Sequence, residues 1–557
     1  MLKHISITLF LLQIPIPIAA AAQDGSLSAS VDTLFVQMDL PDRPGAAVLV
    51  IKDGVVLHRK GYGSANIEHQ IPITPKSVFD IASVSKQFTG MAISMLVEKG
   101  IVNLDDDIRN YIPDVPEFSN QITVRHLIHH MSGVRDWPAT LAIAGWQMDD
   151  VISFDQILTM AYNQRALNFE PGERHLYSNT GYNLLAELVS RATGKTFREW
   201  TRENLFVPLG MNDTHFQDDH TELTPTKVYG YRGKDDSYSA VANGLTALGS
   251  SSLFTTIDDL GKWVTNFDDH TVGGTSVIER MRTRGTLNNG ATIAYAYGLS
   301  IGEYRGQQTI SHGGSWAGFR TTLLHFPDQR FGIVILGNLE SFNPSRWAYQ
   351  IADLYLADVL TTIEENDDDE LGPKDAVPVD VATLDGYVGT YKLGPGWFVE
   401  ITSDGDHLLT QATRELRFPM VAISQDEFYV PAYKAGMTFR RNGNRQVTHF
   451  DYRGIKAKRM EAGAWNPSSE ELRALEGEYF SEELATSYSV ELRGEALVAK
   501  HRRHQAIELR PLVHNEFGGS LWFASGVEFV RDNSGNITAM LISNGRSLNN
   551  EFTRVYH

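Results

Sequence analysis

Gly389 and Tyr391 recur as Gly477 and Tyr479, an offset of 88 residues, and this repeat constrains the architecture of the 557-residue chain more than any other feature. Gly405 and Leu408 return as Gly494 and Leu497, and MTFRRNGNRQVT resembles VEFVRDNSGNIT at a similar offset. Around these positions short alternating apolar and polar runs are broken by Gly, Asn and Asp, the pattern of antiparallel strands joined by tight turns. The spacing predicts two related small β-barrels or sandwiches, one over 380–464 and one over 465–557.

The chain ahead of the repeat is built differently. From Val31 to Leu360, β-rich runs such as AAVLVIKDGVVLHRKGYG mix with longer helical patterns such as QFTGMAISMLVEKG and TGYNLLAELVSRATG, so an α/β or α+β body is expected over 23–363. The acidic run Glu364–Glu370, followed by Leu-Gly-Pro-Lys, breaks both patterns and reads as a solvated linker over 364–379. A calcium site is the sharper alternative there, but a straight run of carboxylates lacks the spaced ligands and glycine of a calcium loop.

Charge and composition narrow the function classes. A formal charge of -19 argues against nucleic acid or anionic membrane surfaces as partners. With no cysteine, thiolate catalysis, disulfides and Cys-ligated zinc are excluded. The first 22 residues carry Lys3 and His4, an apolar stretch from Ile5 to Ile18 and a small-residue run at Ala19–Ala22. That reads as a cleaved secretory leader and implies a periplasmic or secreted protein. A stable membrane anchor is the alternative, opposed by the short stretch and by Pro15 and Pro17.

Three local patterns carry chemistry. In IASVSKQFTGMAISMLVEKG, Ser83 and Lys86 lie three apart at the start of an amphipathic helix and project from one face. A serine hydroxyl needs a base, and a lysine one turn away serves if its charge is neutralised or shared. Lys86 leads into Phe88, Met91, Ala92 and Met95, an apolar setting for an unpaired ammonium. In FEPGERHLYSNTGYNLLAELVSRATG, Tyr177 and Asn179 precede a second helix, as a proton shuttle and a substrate-holding amide or as a plain capping segment. In TISHGGSWAGFRTTLLHFP, His312, Gly313 and Gly314 enter a strand-like run where glycines admit a substrate backbone; the amides of Ser83 and Ser315 are candidate oxyanion donors.

Taken together, SVSK, YSN and HGG resemble the S-x-x-K, Y-x-N and K/H-x-G motifs of the serine β-lactamase and penicillin-binding-protein family, with VRHLIHHMSGV and FEPGERHLYSN as supporting stretches. The resemblance covers residues 31 to 360. It implies an α/β (α+β) sandwich with an all-helical lobe and acyl-enzyme chemistry, with Ser83 as nucleophile, Lys86 and Tyr177 managing its proton, and Asn179 and His312 positioning the substrate. No cofactor or metal is implied. His312 stands where lysine is common in β-lactamases and carboxypeptidases, which puts binding of a substrate carboxylate in doubt and resembles the D-aminopeptidase and esterase branch. That branch carries two further (lipocalin-like) β-barrels, and a loop of the last one enters the cleft to select a free amino terminus. By that resemblance 515–520 (NEFGGS) is the candidate loop and Glu516 the partner of a substrate ammonium, with a surface turn as the alternative.

The expected substrate is therefore a small peptide, amide or ester. D-aminoacyl peptides and linearised cyclic peptides such as linear microcystin are compatible. Esterase, β-lactamase and DD-carboxypeptidase are alternatives, as is a non-catalytic peptide or β-lactam sensor. His126, His129 and His130 lie at helical spacing, but no H-E-x-x-H accompanies them, so packing or capping is preferred to zinc. Trp316 and Phe319 suit either the pocket wall or the core.

Overall fold

The stretch AAVLVIK is buried along its whole length because it is covered from both sides. Ala47, Leu49 and Ile51 face one apolar core and Ala46, Val48 and Val50 the other, the two-residue alternation of a strand with both faces dry. It forms β1 (Ala46–Lys52) of a six-stranded sheet with β2 (Val55–Tyr62), β3 (Ser300–Tyr304), β4 (Gln307–Trp316), β5 (Phe319–Phe326) and β6 (Phe331–Gly337). The order is β3-β4-β5-β6-β1-β2 and every pairing is antiparallel. β1 thus pairs with the last of four strands that begin only at Ser300, β2 forms the edge beyond it, and the helical region is inserted between Tyr62 and Ser300.

The computed structural model of the protein describes residues 18–234, 237–361, 377–413, 415–433, 435–452, 455–460 and 465–556. Most of the leader-like segment and the acidic run, with the calcium alternative attached to it, lie outside these. Helix α1 (Ile18–Phe35) and α6 (Pro344–Tyr355) cover one sheet face, with Phe35 stacked on Tyr62 at 4.9 Å. Helices α2 (Lys86–Glu98) and α5 (Ile257–Asp269) join the core of the other, and α3 (Trp137–Ile143) and α4 (Asn179–Thr193) extend that core into the helical lobe. Among the described residues no helix is long and apolar enough to cross a membrane.

The repeat folds into two closed eight-stranded antiparallel barrels, from Gly389–Gly394 to Ile455–Arg459 and from Gly477–Ser481 to Ser547–Val555. Their closing seams are built alike. Tyr391 pairs with Arg459 and Tyr479 with Arg554 across the last strand. The tyrosine hydroxyls donate to the carbonyls four residues back, Tyr387 and Leu475, at 2.7 and 2.8 Å. Arg459 caps the carbonyls of Gly386 and Val388, as Arg554 caps those of Ala474 and Glu476. Even the helix caps repeat: Asp380 and Ser468 cap the short helices that enter each barrel.

The second barrel is fastened to the helical lobe. Ala142 and Ile143 belong to its apolar core, and Tyr488 donates to the carbonyl of Ile143 at 2.9 Å.

Candidate active site

Ala82 is fully buried with φ +47, a left-handed angle that costs a residue with a Cβ roughly 1–3 kcal/mol. Its N–H donates to Asp80 Oδ1 at 2.8 Å, and Asn243 Nδ2 donates to the other oxygen at 2.9 Å. From this fixed corner the turn Ala82–Ser85 runs directly into α2, leaving Ser83 partly exposed one turn ahead of Lys86. Gly314 on β4 explains the closeness of strand and turn: a Cβ there would lie 2.2 Å from the carbonyl oxygen of Ile81. The space that the sequence assigns to a substrate backbone at Gly314 is occupied by the protein's own chain, so its role is to let β4 approach Ser83.

Lys86 Nζ reaches three acceptors, Ser83 Oγ at 3.1 Å, Asn179 Oδ1 at 2.7 Å and the carbonyl of Ser250 at 2.7 Å. Burial drives its pKa well below the usual lysine value, against the pull of Asp136 and with the help of Arg546. Tyr177 lies with its ring 4.9 Å from Nζ and its hydroxyl bonded to Ser83. Burial raises the phenol's pKa, so it stays protonated. His312 donates from Nδ1 to the carbonyl of Gly313 at 2.7 Å, which leaves Nε2 to accept from Tyr295 Oη–H at 2.9 Å. Burial, with Lys86 adding to it, pushes its pKa down to about 3, so the ring is neutral.

Ser83, Lys86, Tyr177, Asn179 and His312 therefore converge, and Ser315 sits exposed on the same strand as His312. Glu516 does not join them. It stands on a strand of the second barrel and pairs with Lys392 of the first at 2.5 Å. The turn 515–520 is thus part of a contact between the barrels, and the cleft loop expected there is a different one. The hairpin joining Ile537–Asn544 to Ser547–Val555 is what reaches the site. The carbonyl of Arg546 accepts from the N–H of Asp136 at 3.1 Å and from Asn168 Nδ2 at 2.9 Å. Its guanidinium lies 5.0 Å from the Tyr177 ring centre and 3.6 Å from Asp136 Oδ2.

Three groups in this cluster, Asp136, Tyr295 and Arg546, are not singled out by the sequence motifs, and a fourth, His130, reads from the sequence only as a packing or capping residue. Asp136 is buried and accepts from the N–H and Nδ2 of Asn179 at 2.7 and 3.0 Å, so it orients the amide that holds Lys86. Tyr295 fixes His312, and Arg546 completes the outer edge. His130, with φ +56, is buried with its ring centre 4.2 Å from that of Tyr177, and Ser178 N–H donates to its Nδ1. The stretch VRHLIHHMSGV pointed to His130 as a region, and Asp136 follows it by two residues. Of the other histidines, His126 accepts from the N–H of Thr123 in a capping box, and His129 contacts the carbonyls of Arg125 and Thr283. Phe319 is core, packed on Phe79. Trp316 is half-buried, edge-on to Trp137, and donates to Asn243.

The family model for the β-lactamases matches residues 32–356, more than half of the chain. The chain belongs to the β-lactamase family. A penicillin-binding protein of Bacillus subtilis is 28% identical over 431 residues, covering 73% of this chain and 93% of its own. A D-aminopeptidase of Gluconobacter oxydans is 30% identical over 53% of this chain, and the match spans 56% of that protein's length. The octameric penicillin-binding protein homologue from Pyrococcus abyssi shares the fold, with a TM-score of 0.53 at 21% identity over 86% of this chain and 99% of its own. This β-lactamase-family chain is accordingly a serine hydrolase related to D-aminopeptidases and penicillin-binding proteins.

Proposed function

We propose that the protein hydrolyses the amide bonds of small or linear peptides, in the manner of a D-aminopeptidase, through an acyl-enzyme on Ser83. The observation that carries this reading is the environment of Lys86. A neutral amine has two N–H groups and one lone pair. Nζ donates to Ser83 Oγ at 3.1 Å and more closely, at 2.7 Å, to Asn179 Oδ1 and the Ser250 carbonyl; on loss of a proton the two short contacts keep the remaining N–H groups, and the lone pair is left on the side of Ser83 Oγ.

As Oγ bonds to the substrate carbonyl carbon, Lys86 takes the serine proton, and the amides of Ser83 and Ser315 receive the developing oxyanion. The C–N bond then breaks while Tyr177 Oη–H protonates the leaving nitrogen, and Lys86 returns the proton to the phenol. Water, deprotonated by the same groups, releases the acyl product. An exported setting belongs to the same proposal and rests on residues 1–22 of the sequence.

The test is a matched panel of D- and L-aminoacyl amides, linear peptides, short-chain esters and a chromogenic cephalosporin, each alongside Ser83→Ala. Amide turnover that falls on the order of 10⁴-fold or more in Ser83→Ala is expected. Turnover confined to the cephalosporin, or to the esters, would replace the peptidase reading.

A further inference from the structure

A hairpin that contributes no motif to the reaction nevertheless puts a cation at the mouth of the site. Its backbone is held at several points: the Arg546 carbonyl as above, Leu548 N–H on Asn168 Oδ1 at 2.8 Å, and Ser547 Oγ with Thr140 Oγ1 at 2.8 Å. The buried Arg135 donates to the carbonyls of Leu548 and Asn549 at 3.0 and 3.1 Å. The arginine side chain itself is not held in this way. It is 52% exposed, and its contact with Asp136 at 3.6 Å exceeds hydrogen-bond length. Among the described residues its guanidinium donates no hydrogen bond. Asp136 is served by Asn179, so its carboxylate is not waiting for the guanidinium.

The other basic groups of the cluster are already committed: Lys86 Nζ to Ser83, Asn179 and Ser250, and the two ring nitrogens of His312 to Gly313 and Tyr295. Burial disfavours the charged form of Lys86, and His312 is neutral. The carboxylates are no more available to a substrate ammonium: Asp80 and Asp136 are buried and internally bonded, and Glu516 pairs with Lys392. A rigid hairpin presenting an unfilled, planar fork of N–H donors beside partly exposed Ser83, Tyr177 and Asn179 matches one ligand chemistry, a carboxylate.

We propose that Arg546 is a specificity residue that docks a substrate carboxylate carried next to the scissile bond, so that the preferred peptides are acidic at that position. The proposal rests on the amide-hydrolase reading above and names its substrate class. A free C-terminal carboxylate and an acidic side chain present the same group, and the two substrate pairs below separate them.

The experiment measures kcat/KM for release of D-alanine from two matched pairs. One is D-alanyl-D-alanine against D-alanyl-D-alaninamide, the other D-alanyl-D-glutamic acid α-amide against D-alanyl-D-glutamine α-amide. The wild type is expected to favour the carboxylate member of at least one pair by about 10- to 100-fold, as a charge-assisted hydrogen bond supplies. Arg546→Gln is expected to abolish that ratio, Arg546→Lys to keep part of it and Arg546→Glu to invert it, with the change in KM rather than kcat. A wild-type ratio near one, or a ratio that survives Arg546→Gln, overturns the carboxylate site while leaving amide hydrolysis standing. Absence of D-alanine release from all four overturns the peptidase reading. The site is then judged by labelling Ser83 with a fluorophosphonate: glutarate slowing the wild type but not Arg546→Gln supports it, and equal protection by glutaramide overturns it.

Discussion

Asp136 and Arg546 flank Lys86 with opposite electrostatic sign, so the pH dependence of the reaction reports on both. In the proposed reaction Lys86 acts as the neutral amine, so activity is expected to rise with pH through its lowered pKa. Removing the carboxylate in Asp136→Asn lowers that pKa further and moves the acid limb of kcat/KM to lower pH. Removing the cation in Arg546→Gln raises it and moves the limb up. His312, pushed down to about 3, does not set a limb above pH 4 or so. A profile on an uncharged substrate checks this, and shifts in the same direction would sink the assignment. The same residues show where sequence runs out. Ser83, Lys86, Tyr177 and His312 were legible because each sits in a short pattern whose own helix or strand aims it. Asp136, Tyr295 and Arg546 were not, because each acquires meaning only by touching a residue outside its own element, from 17 positions away for Tyr295 to several hundred for Arg546.

At the scale of elements, the two barrels were legible as a repeat because the Gly-x-Tyr that opens each closing seam recurs at a fixed offset. The matching arginines, Arg459 and Arg554, lie further apart than that offset, since loops of different length intervene. Tyr391→Phe and Tyr479→Phe each remove one buried hydroxyl bond to a carbonyl and are expected to cost a similar amount, about 1–3 kcal/mol, measured by denaturant unfolding. A large cost in one and none in the other would show that the shared seam is not a shared stabilising device. The sheet was harder to read: β1 is apolar on both faces, which hides the alternation that marks a half-exposed strand, and its partner β6 lies beyond the helical insertion. Between these elements, Gly314→Ala is expected to push β4 off the Ser83 turn. It should lower kcat by about 10²-fold or more, since positioning at this range is decided by shifts of about an ångström. An alanine variant of wild-type activity would show that the close approach is not needed.

The whole molecule depends on how the second barrel is fastened, because its hairpin supplies Arg546. Arg135 is the main bolt. It is buried, pairs with the nearly buried Glu483, and holds the carbonyls of Leu548 and Asn549. Placing 515–520 in the cleft failed because a turn's composition does not say which neighbour it faces, whereas Arg135 and its partners define that neighbour outright. In Arg135→Ala the charge of Glu483 is left buried and the hairpin loses its anchor. About 3–5 kcal/mol is the usual cost of breaking such a pair from one side. The loss falls on the interface between the helical lobe and the barrel, since the two cores are separate clusters, joined there through Ala142 and Ile143, which pack into that of the barrel. Calorimetry is therefore expected to show the barrel's unfolding separating to lower temperature from that of the catalytic body. Replacing both partners, Arg135→Met with Glu483→Leu, should recover much of that stability because no unpaired charge remains, yet the hairpin carbonyls still lack their donors. A double variant that regains its melting temperature but not its rate on peptide amides would separate the barrel's mechanical role from the hairpin's chemical one. Recovery of both would show that docking alone suffices.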